Sequence, residues 1–147
     1  MINLDLISPY IIAIVAGWLI SHVIKYFVSR LRGENLQSAQ VYLLRSGGMP
    51  SAHTTAAFAL LTVIGLIDGV SSGLFGVSLL FALIVMHDAI RVRRSSGEQG
   101  LALRKLLTDL KSKIPLPRAA QGHTPLEVLL GAVLGVIIGL VVFFATR

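Results

Sequence analysis

Residues 125–145 have the sequence PLEVLLGAVLGVIIGLVVFFA, in which Glu127 is the one charged side chain. About 20 apolar residues are enough for a helix to cross a hydrocarbon core of roughly 30 Å, so this stretch predicts a transmembrane helix. Working outward, residues 6–28, 51–67 and 73–90 predict three more spans. The second and third are short, so we expect tilt or local thinning of the bilayer there. The sequence therefore predicts an all-α fold: a small polytopic membrane bundle of about four helices, in a single domain over residues 1–147.

The composition supports a membrane protein. Of the 147 residues, 54% are hydrophobic and 14% are charged, and the mean hydropathy is +0.80. Soluble domains carry roughly a quarter charged residues, so a soluble globular enzyme and a disordered chain are both excluded. The chain has no cysteine, which excludes a disulfide framework, a thiolate metal site and a cysteine nucleophile.

The placement of lysine and arginine predicts the orientation. Twelve of the thirteen basic residues lie at or after the first span or between the third and fourth spans, and the thirteenth is Arg147. Basic loops stay in the cytoplasm, so we expect both loops inside and both termini outside, in an inner, cytoplasmic membrane. Nucleic acid is not an expected partner, because the basic residues flank spans and no aromatic side chains interleave them.

The second basic loop predicts an amphipathic helix over residues 99–114. Its apolar residues recur at helical spacing: Leu103, Leu106, Leu107, Leu110 and Ile114. Such a helix would lie on the inner membrane surface, where anionic headgroups attract its basic face. Packing of this helix on the protein's own loops is an equally weighted alternative.

Polar residues collect at the cytoplasmic ends of all four predicted spans. Lys25 ends the first span, GGMPSAH (47–53) opens the second, His87 and Asp88 close the third, and GHTPLE (122–127) opens the fourth. Ionisable residues within or beside spans are costly, so their default interpretation is functional. Four separate segments deliver these groups to one membrane face, and this convergence predicts a site there.

The residue types suit the binding and transfer of a phosphoryl group. The helix start near Ser51 offers N–H groups to an anion, and Arg93, Arg94 and Lys25 can hold phosphate oxygens. His123 and Glu127 are four residues apart, so the carboxylate can orient the imidazole as a nucleophile. His53 can then protonate the leaving oxygen. This chemistry needs no metal or other cofactor.

Plainer interpretations stand beside these. Thr124 and Glu127 fit a capping box, the arginines fit inner-face anchors, Lys25 can snorkel, and Asp88 can pair with an arginine. A metal site is disfavoured because the ligand spacing is loose. Close helix packing, within the chain or across a homodimer, explains a stripe of small residues on the fourth span: Gly131, Gly135 and Gly139.

Three blocks of this sequence resemble the divergent PAP2 family, which is related to type 2 phosphatidic acid phosphatases and vanadium haloperoxidases. They are GGMPSAH at 47–53, a block from Asp88 through Arg93 and Arg94 to Gln99, and GHTPLEV at 122–128. The resemblance covers most of the chain, and the order and spacing of the three blocks make it specific.

The resemblance implies roles for particular residues. His123 would be the nucleophile, Glu127 its acidic partner in place of the superfamily's Asp, and His53 the general acid, with Ala52 in place of a Gly. The arginine expected six residues before the nucleophile would fall at Pro117, one place from Arg118, and Arg93 and Arg94 would take its role. Lys25 would be the relic of the first motif. Asp88 would organise the arginines, and Ser51 would lie among the phosphate-binding N–H groups.

The function that the resemblance implies is that of a membrane lipid phosphate phosphatase with a phosphohistidine intermediate. Phosphatidylglycerophosphate is made at the cytoplasmic face, and some divergent PAP2 members are linked to its dephosphorylation. It is therefore the first candidate substrate, which would give the protein a role in phospholipid biosynthesis. Prenyl phosphates or diphosphates and phosphatidic acid follow. The alternative from another class is a non-catalytic membrane protein that binds anionic lipid or a partner through the same basic pocket.

Overall fold

The computed structural model describes residues 8–33, 48–117, 119 and 122–147, and every regular element in these ranges is helical. Arg118 lies outside them. The helices are α1 (Pro9–Leu31), α2 (Ala52–Ile67), α3 (Gly73–His87), α4 (Arg93–Asp109) and α5 (Pro125–Ala145), with a π-helical segment, Asp88–Val92, between α3 and α4. The all-α architecture predicted from the sequence is confirmed.

The four apolar helices alternate in direction. At one end of the bundle the Tyr10 hydroxyl, at the start of α1, donates a hydrogen bond of 2.7 Å to Asp68, which follows α2. At the other end the Ser51 N–H, at the start of α2, donates to the Glu127 carbonyl of α5 at 3.2 Å. The polar segments that the sequence places at span ends therefore meet at one end of the molecule.

Helix α2 is the short, central helix of the bundle. Its 16 residues rise about 24 Å, less than the roughly 30 Å of a hydrocarbon core. It packs against α1, α3 and α5, and half of its residues are buried. Because neighbouring helices surround α2, its length does not have to match the thickness of the hydrocarbon core, as the lengths of the lipid-facing helices do. The other three apolar helices are long enough to cross a bilayer: Pro9–Leu31, the continuous run Gly73–Asp109, and Pro125–Ala145.

Helix α1 has small and polar residues on its inner face and large apolar residues outside. The residues buried at four-residue intervals are Ala13, Gly17, Ser21, Lys25 and Ser29. The outward residues include Val15, 49% exposed, and Val23, 54% exposed. Small residues at helix contacts let backbones approach closely, and large apolar residues face lipid, so this pattern is typical of a membrane helix.

The glycine stripe of α5 packs against α2 within the chain. A Cβ added at Gly131 would lie 2.8 Å from the Ser51 carbonyl oxygen, and one at Gly139 would lie 2.6 Å from Thr62 Cβ. Gly135 likewise lies against the Thr55 carbonyl. Of the two packing alternatives that the sequence left open, the structure shows the one within the chain, and this surface is already covered by α2.

The surface helix starts earlier and stops earlier than its apolar spacing predicts. Helix α4 begins at Arg93, continues directly from α3 through the π-helical segment, and ends at Asp109, so Ile114 lies beyond it. Lys111 has a φ of 49°, a left-handed conformation that ends a helix. Most apolar side chains of α4 are exposed, with Leu103 at 46% and Leu106 at 54%, and Leu107 is half-buried. This exposure favours the membrane-surface interpretation over packing on the chain's own loops.

Candidate active site

His123 and Glu127 form a hydrogen-bonded pair at the start of α5. His123 Nδ1 lies 3.2 Å from Glu127 Oε2, and the same oxygen accepts a hydrogen bond of 3.0 Å from the Thr124 N–H. The Glu127 N–H donates to Thr124 Oγ1 in return, at 3.3 Å. Glu127 thus has both roles that the sequence offered as alternatives: it closes a capping box and it holds the imidazole.

The pairing determines which nitrogen of His123 is available. A carboxylate only accepts hydrogen bonds, so the proton lies on Nδ1 and the lone pair on Nε2. The residue is 9% exposed. Burial lowers the pKa of His123 below its ordinary value of 6.5, Glu127 opposes this shift, and the nearby charges of Lys25 and Arg93 add to it. The neutral imidazole, which is the nucleophilic form, is therefore the form present at neutral pH.

A tertiary hydrogen bond holds His123 against the end of the third span. Its backbone N–H donates to the Ala89 carbonyl at 3.0 Å, and Ala89 is buried within the π-helical segment. A π-bulge shifts the helical hydrogen-bond register and is frequent at functional sites. The same segment delivers Asp88 and leads directly to Arg93, so one local distortion positions parts of the second and third sequence blocks.

Arg93 is paired with Asp88 and lies close enough to both histidines to affect them electrostatically. Its Nε donates to Asp88 Oδ2 at 2.5 Å, and its charge acts on both His53 and His123. Asp88 thus pairs with Arg93. Arg94 is placed differently, because its Nε donates to Glu98 at 3.1 Å and its side chain is 58% exposed. The structure brings the Arg93 guanidinium to the cluster and directs that of Arg94 along α4.

Lys25 lies inside the bundle, next to the loop before α2. It is 6% exposed, and a Cβ added at Gly48 would lie 2.9 Å from its Cε. Gly48 has a φ of +85°, which glycine adopts without strain. The charge of Lys25 acts on His123, so this residue belongs to the cluster. Gly47, the first residue of that sequence block, lies outside the described residues.

His53 lies in the first turn of α2 and is exposed. Arg93, His123 and Asp88 all act on it electrostatically, and so does His22 of α1. The sequence assigned no chemistry to His22, whose ring lies 4.2 Å from that of Trp18. His22 lies three residues before Lys25 on the same helix, and this spacing is the signal that could have placed His22 near the cluster.

Ser51 joins two helices. It is fully buried, its N–H donates to the Glu127 carbonyl at 3.2 Å, and its Oγ accepts from Thr54 at 2.9 Å. The sequence placed Ser51 among the phosphate-binding groups, and in the structure its own N–H is engaged by α5. Within the described ranges, no group of three or more His, Asp or Glu side chains is placed to hold a metal ion.

Comparisons with known proteins agree with the three sequence blocks. The sequence profile of the divergent PAP2 family matches residues 7–138. The chain belongs to the divergent PAP2 family. This divergent PAP2 protein is also 35% identical to the uncharacterized membrane protein YuiD of Bacillus subtilis (strain 168), over 97% of its own length and 95% of that relative. No solved structure matches this chain. The resemblance and the membrane location are thereby confirmed.

Gly122 permits the close approach of the His123 loop to α4. A Cβ there would lie 2.5 Å from Arg94 Cα and 2.6 Å from Arg94 N, and backbone cannot yield as a flexible side chain can. We therefore expect Gly122→Ala to push His123 away from the cluster and to slow any reaction in which His123 takes part by about 100-fold, the order of loss that a ~1 Å misplacement causes. A steady-state assay checks this, with Gly76→Ala as the control, since a Cβ at Gly76 meets nothing within 4 Å. Equal activity of the two variants would contradict it.

Proposed function

We propose that this divergent PAP2 protein is a lipid phosphate phosphatase that acts at the cytoplasmic face of the membrane, with phosphatidylglycerophosphate as its first substrate. One observation carries the proposal: a buried His123, oriented by Glu127 at 3.2 Å, lies within electrostatic reach of two cations and a second histidine. Binding an anionic headgroup would need the cations alone. An oriented imidazole is what a nucleophilic reaction at phosphorus needs in addition.

The cations would hold the phosphoryl oxygens. Arg93 offers a planar fork of N–H donors, and Asp88 fixes the direction of that fork. Lys25 adds a point charge from the bundle interior. Charge that develops on the oxygens during transfer would be stabilised in place, because both cations are positioned before the substrate arrives.

The reaction would proceed in two steps. His123 Nε2 attacks phosphorus, a P–N bond forms, and the P–O bond to the lipid breaks while His53 gives its proton to the leaving alkoxide. Water then attacks the phosphohistidine, His53 takes a proton from that water, and the P–N bond breaks to release inorganic phosphate. His53 ends the cycle protonated and His123 ends it neutral, so protons and phosphate balance.

Phosphate release from a panel of lipid phosphates tests the proposal. Detergent-solubilised protein would be given phosphatidylglycerophosphate, prenyl diphosphate and phosphatidic acid, with and without a chelator. We expect release that persists in chelator and is highest with phosphatidylglycerophosphate. The matched control is His87→Ala, which removes an exposed histidine outside the cluster. If folded protein released phosphate from none of these lipids, the proposal would fail, and binding of anionic lipid would take its place.

The orientation has its own test, because the chain has no cysteine and single cysteines can be added. Ser96, on α4, and Ser71, before α3, are both exposed and lie at opposite ends of the third span. We expect a membrane-impermeant maleimide applied to intact cells to label Ser71→Cys and to leave Ser96→Cys unlabelled until the cells are opened, since basic segments stay inside. Labelling of Ser96→Cys in intact cells would place the site outside.

A further inference from the structure

An apolar cleft opens between α1, α2 and α3, and its volume is about 690 Å³. Nine of its ten lining residues are apolar or aromatic, and the tenth is His53. The walls include Val15, Trp18 and Leu19 of α1 and Phe81 and Val85 of α3, with Leu60 of α2 between them.

The cleft opens toward the lipid-facing surface of the bundle. Val15 is 49% exposed, Leu19 50% and Phe81 55%, and all three lie on helices long and apolar enough to cross a bilayer. An exposed apolar concavity on a membrane helix bundle meets hydrocarbon, so its occupant is hydrocarbon.

His53 joins this cleft to the cationic cluster. It lines the cleft, and Arg93 and His123 act on it electrostatically. A molecule that extends from the cluster into the cleft would therefore carry an anionic group at one end and an apolar chain at the other. The volume of about 690 Å³ is enough for one such chain. At the ~30 Å³ that a group the size of water occupies in a liquid, the cleft has room for roughly 20 groups of that size, close to one long hydrocarbon chain.

Resting on the proposed function, we infer that this cleft binds one hydrocarbon chain of the lipid phosphate substrate, with its headgroup at Arg93 and His123. A second chain, where the substrate has one, stays in the bilayer. The cleft thus gives the site preference for phosphate esters with a long chain over soluble phosphate esters.

The chain contains its own probe, because Trp18 is its single tryptophan and lines the cleft. Bromine quenches indole fluorescence at contact distance. The protein would be placed in nanodiscs of unbrominated lipid and titrated with a phosphonate analogue of phosphatidic acid that bears one dibrominated acyl chain and is not hydrolysed. Phosphatidylcholine with the same brominated chain, at equal mole fraction, is the headgroup control.

We expect saturable quenching by the phosphonate beyond that by phosphatidylcholine, reversed by the same phosphonate with unbrominated chains. The double variant Val15→Phe/Val85→Phe narrows the cleft from both walls and should weaken this binding about tenfold. Val133→Phe/Val141→Phe is the matched control, since these valines are 50% and 62% exposed on α5, and it should leave binding unchanged.

Equal quenching by the two lipids, or equal binding by the two double variants, would overturn the inference. Quenching of Trp18 fluorescence reports binding without turnover. It therefore tests the cleft assignment separately from the proposed phosphatase activity. Saturable binding without phosphate release would overturn the proposed function and leave the cleft assignment standing. Phosphate release together with quenching that does not depend on the headgroup would overturn the cleft assignment and leave the proposed function standing.

Discussion

Replacing His123 with alanine is expected to abolish phosphate release, lowering kcat by at least about 10⁴-fold, as removal of a nucleophile does in other covalent mechanisms. The physical reason is that no other group replaces Nε2 as the atom that bonds to phosphorus. The lipid should still bind, because Arg93 and Lys25 remain. The measurement is kcat and KM on the best substrate of the panel, in protein shown by circular dichroism to be folded.

Two comparisons make this result specific. His87→Ala should keep wild-type kcat, because His87 is an exposed residue at the end of α3. His53→Ala should lose about 10²- to 10⁴-fold, the usual worth of a general acid, and should lose less on an aryl phosphate, whose leaving group needs no proton. Turnover by His123→Ala within tenfold of wild type would rule out His123 as the nucleophile.

The pH dependence follows from the burial of His123. A protonated Nε2 has no lone pair, so activity requires the neutral imidazole. Burial lowers the pKa of His123 below 6.5, so the loss of kcat/KM caused by its protonation should begin below pH 6.5. Removing the Glu127 carboxylate, which raises this pKa, should move that loss to still lower pH.

Glu127→Gln is expected to lower kcat by about 10²- to 10⁴-fold while α5 keeps its cap, by analogy with the loss of a carboxylate behind a catalytic imidazole. Glutamine can complete a capping box as glutamate does. It cannot stabilise the imidazolium-like charge on a phosphorylated ring, and its amide can accept from Nδ1 or donate to it, so the tautomer is no longer fixed. The measurements are kcat and the thermal midpoint of unfolding.

Thr124→Ala separates the two roles of Glu127. This variant removes the hydroxyl that accepts from the Glu127 N–H at 3.3 Å and leaves the contact between His123 and the carboxylate. We expect about 1 kcal/mol less stability, the usual cost of losing an N-cap, with kcat within a few-fold of wild type. If Glu127→Gln and Thr124→Ala had the same effect on kcat, Glu127 would be a cap and nothing more.

Much of the bundle is predictable from the sequence because lipid imposes strong constraints on composition. A stretch such as 125–145 has few alternatives to a spanning helix, and its start at Pro125 agrees in the structure. The central position of α2 is not predictable in this way. Its sequence is as apolar as that of a lipid-facing helix, and only packing against α1, α3 and α5 distinguishes the two.

The continuity of α3 and α4 also escapes the sequence. The π-helical segment between them depends on a tertiary contact, since its Ala89 carbonyl accepts from His123, 34 positions along the chain. Apolar spacing indicates only the amphipathic part of α4, so it predicts a helix that begins at residue 99. In the structure the helical hydrogen bonds of α4 begin at Arg93.

In the candidate site, too, contacts within one helical turn could be predicted from the sequence, and contacts that depend on tertiary packing could not. The spacing of His123 and Glu127 on one helical turn is local, and the structure contains their contact. The directions of Arg93 and Arg94 depend on their partners Asp88 and Glu98, and the sequence treats the two arginines alike. The engagement of Ser51 by α5 and the cleft beside His53 arise from helix packing, which spacing within one segment does not encode.

Capture of the covalent intermediate is the most direct test of whether His123 is the nucleophile. Protein turning over a lipid phosphate labelled in its phosphate group would be quenched in alkali, where a phosphohistidine survives, and mapped by mass spectrometry. We expect label on His123 in the wild type and none in His123→Ala, with His87→Ala labelled like the wild type. Phosphate release by the wild type together with equal release by His123→Ala, or label on another residue, would contradict it.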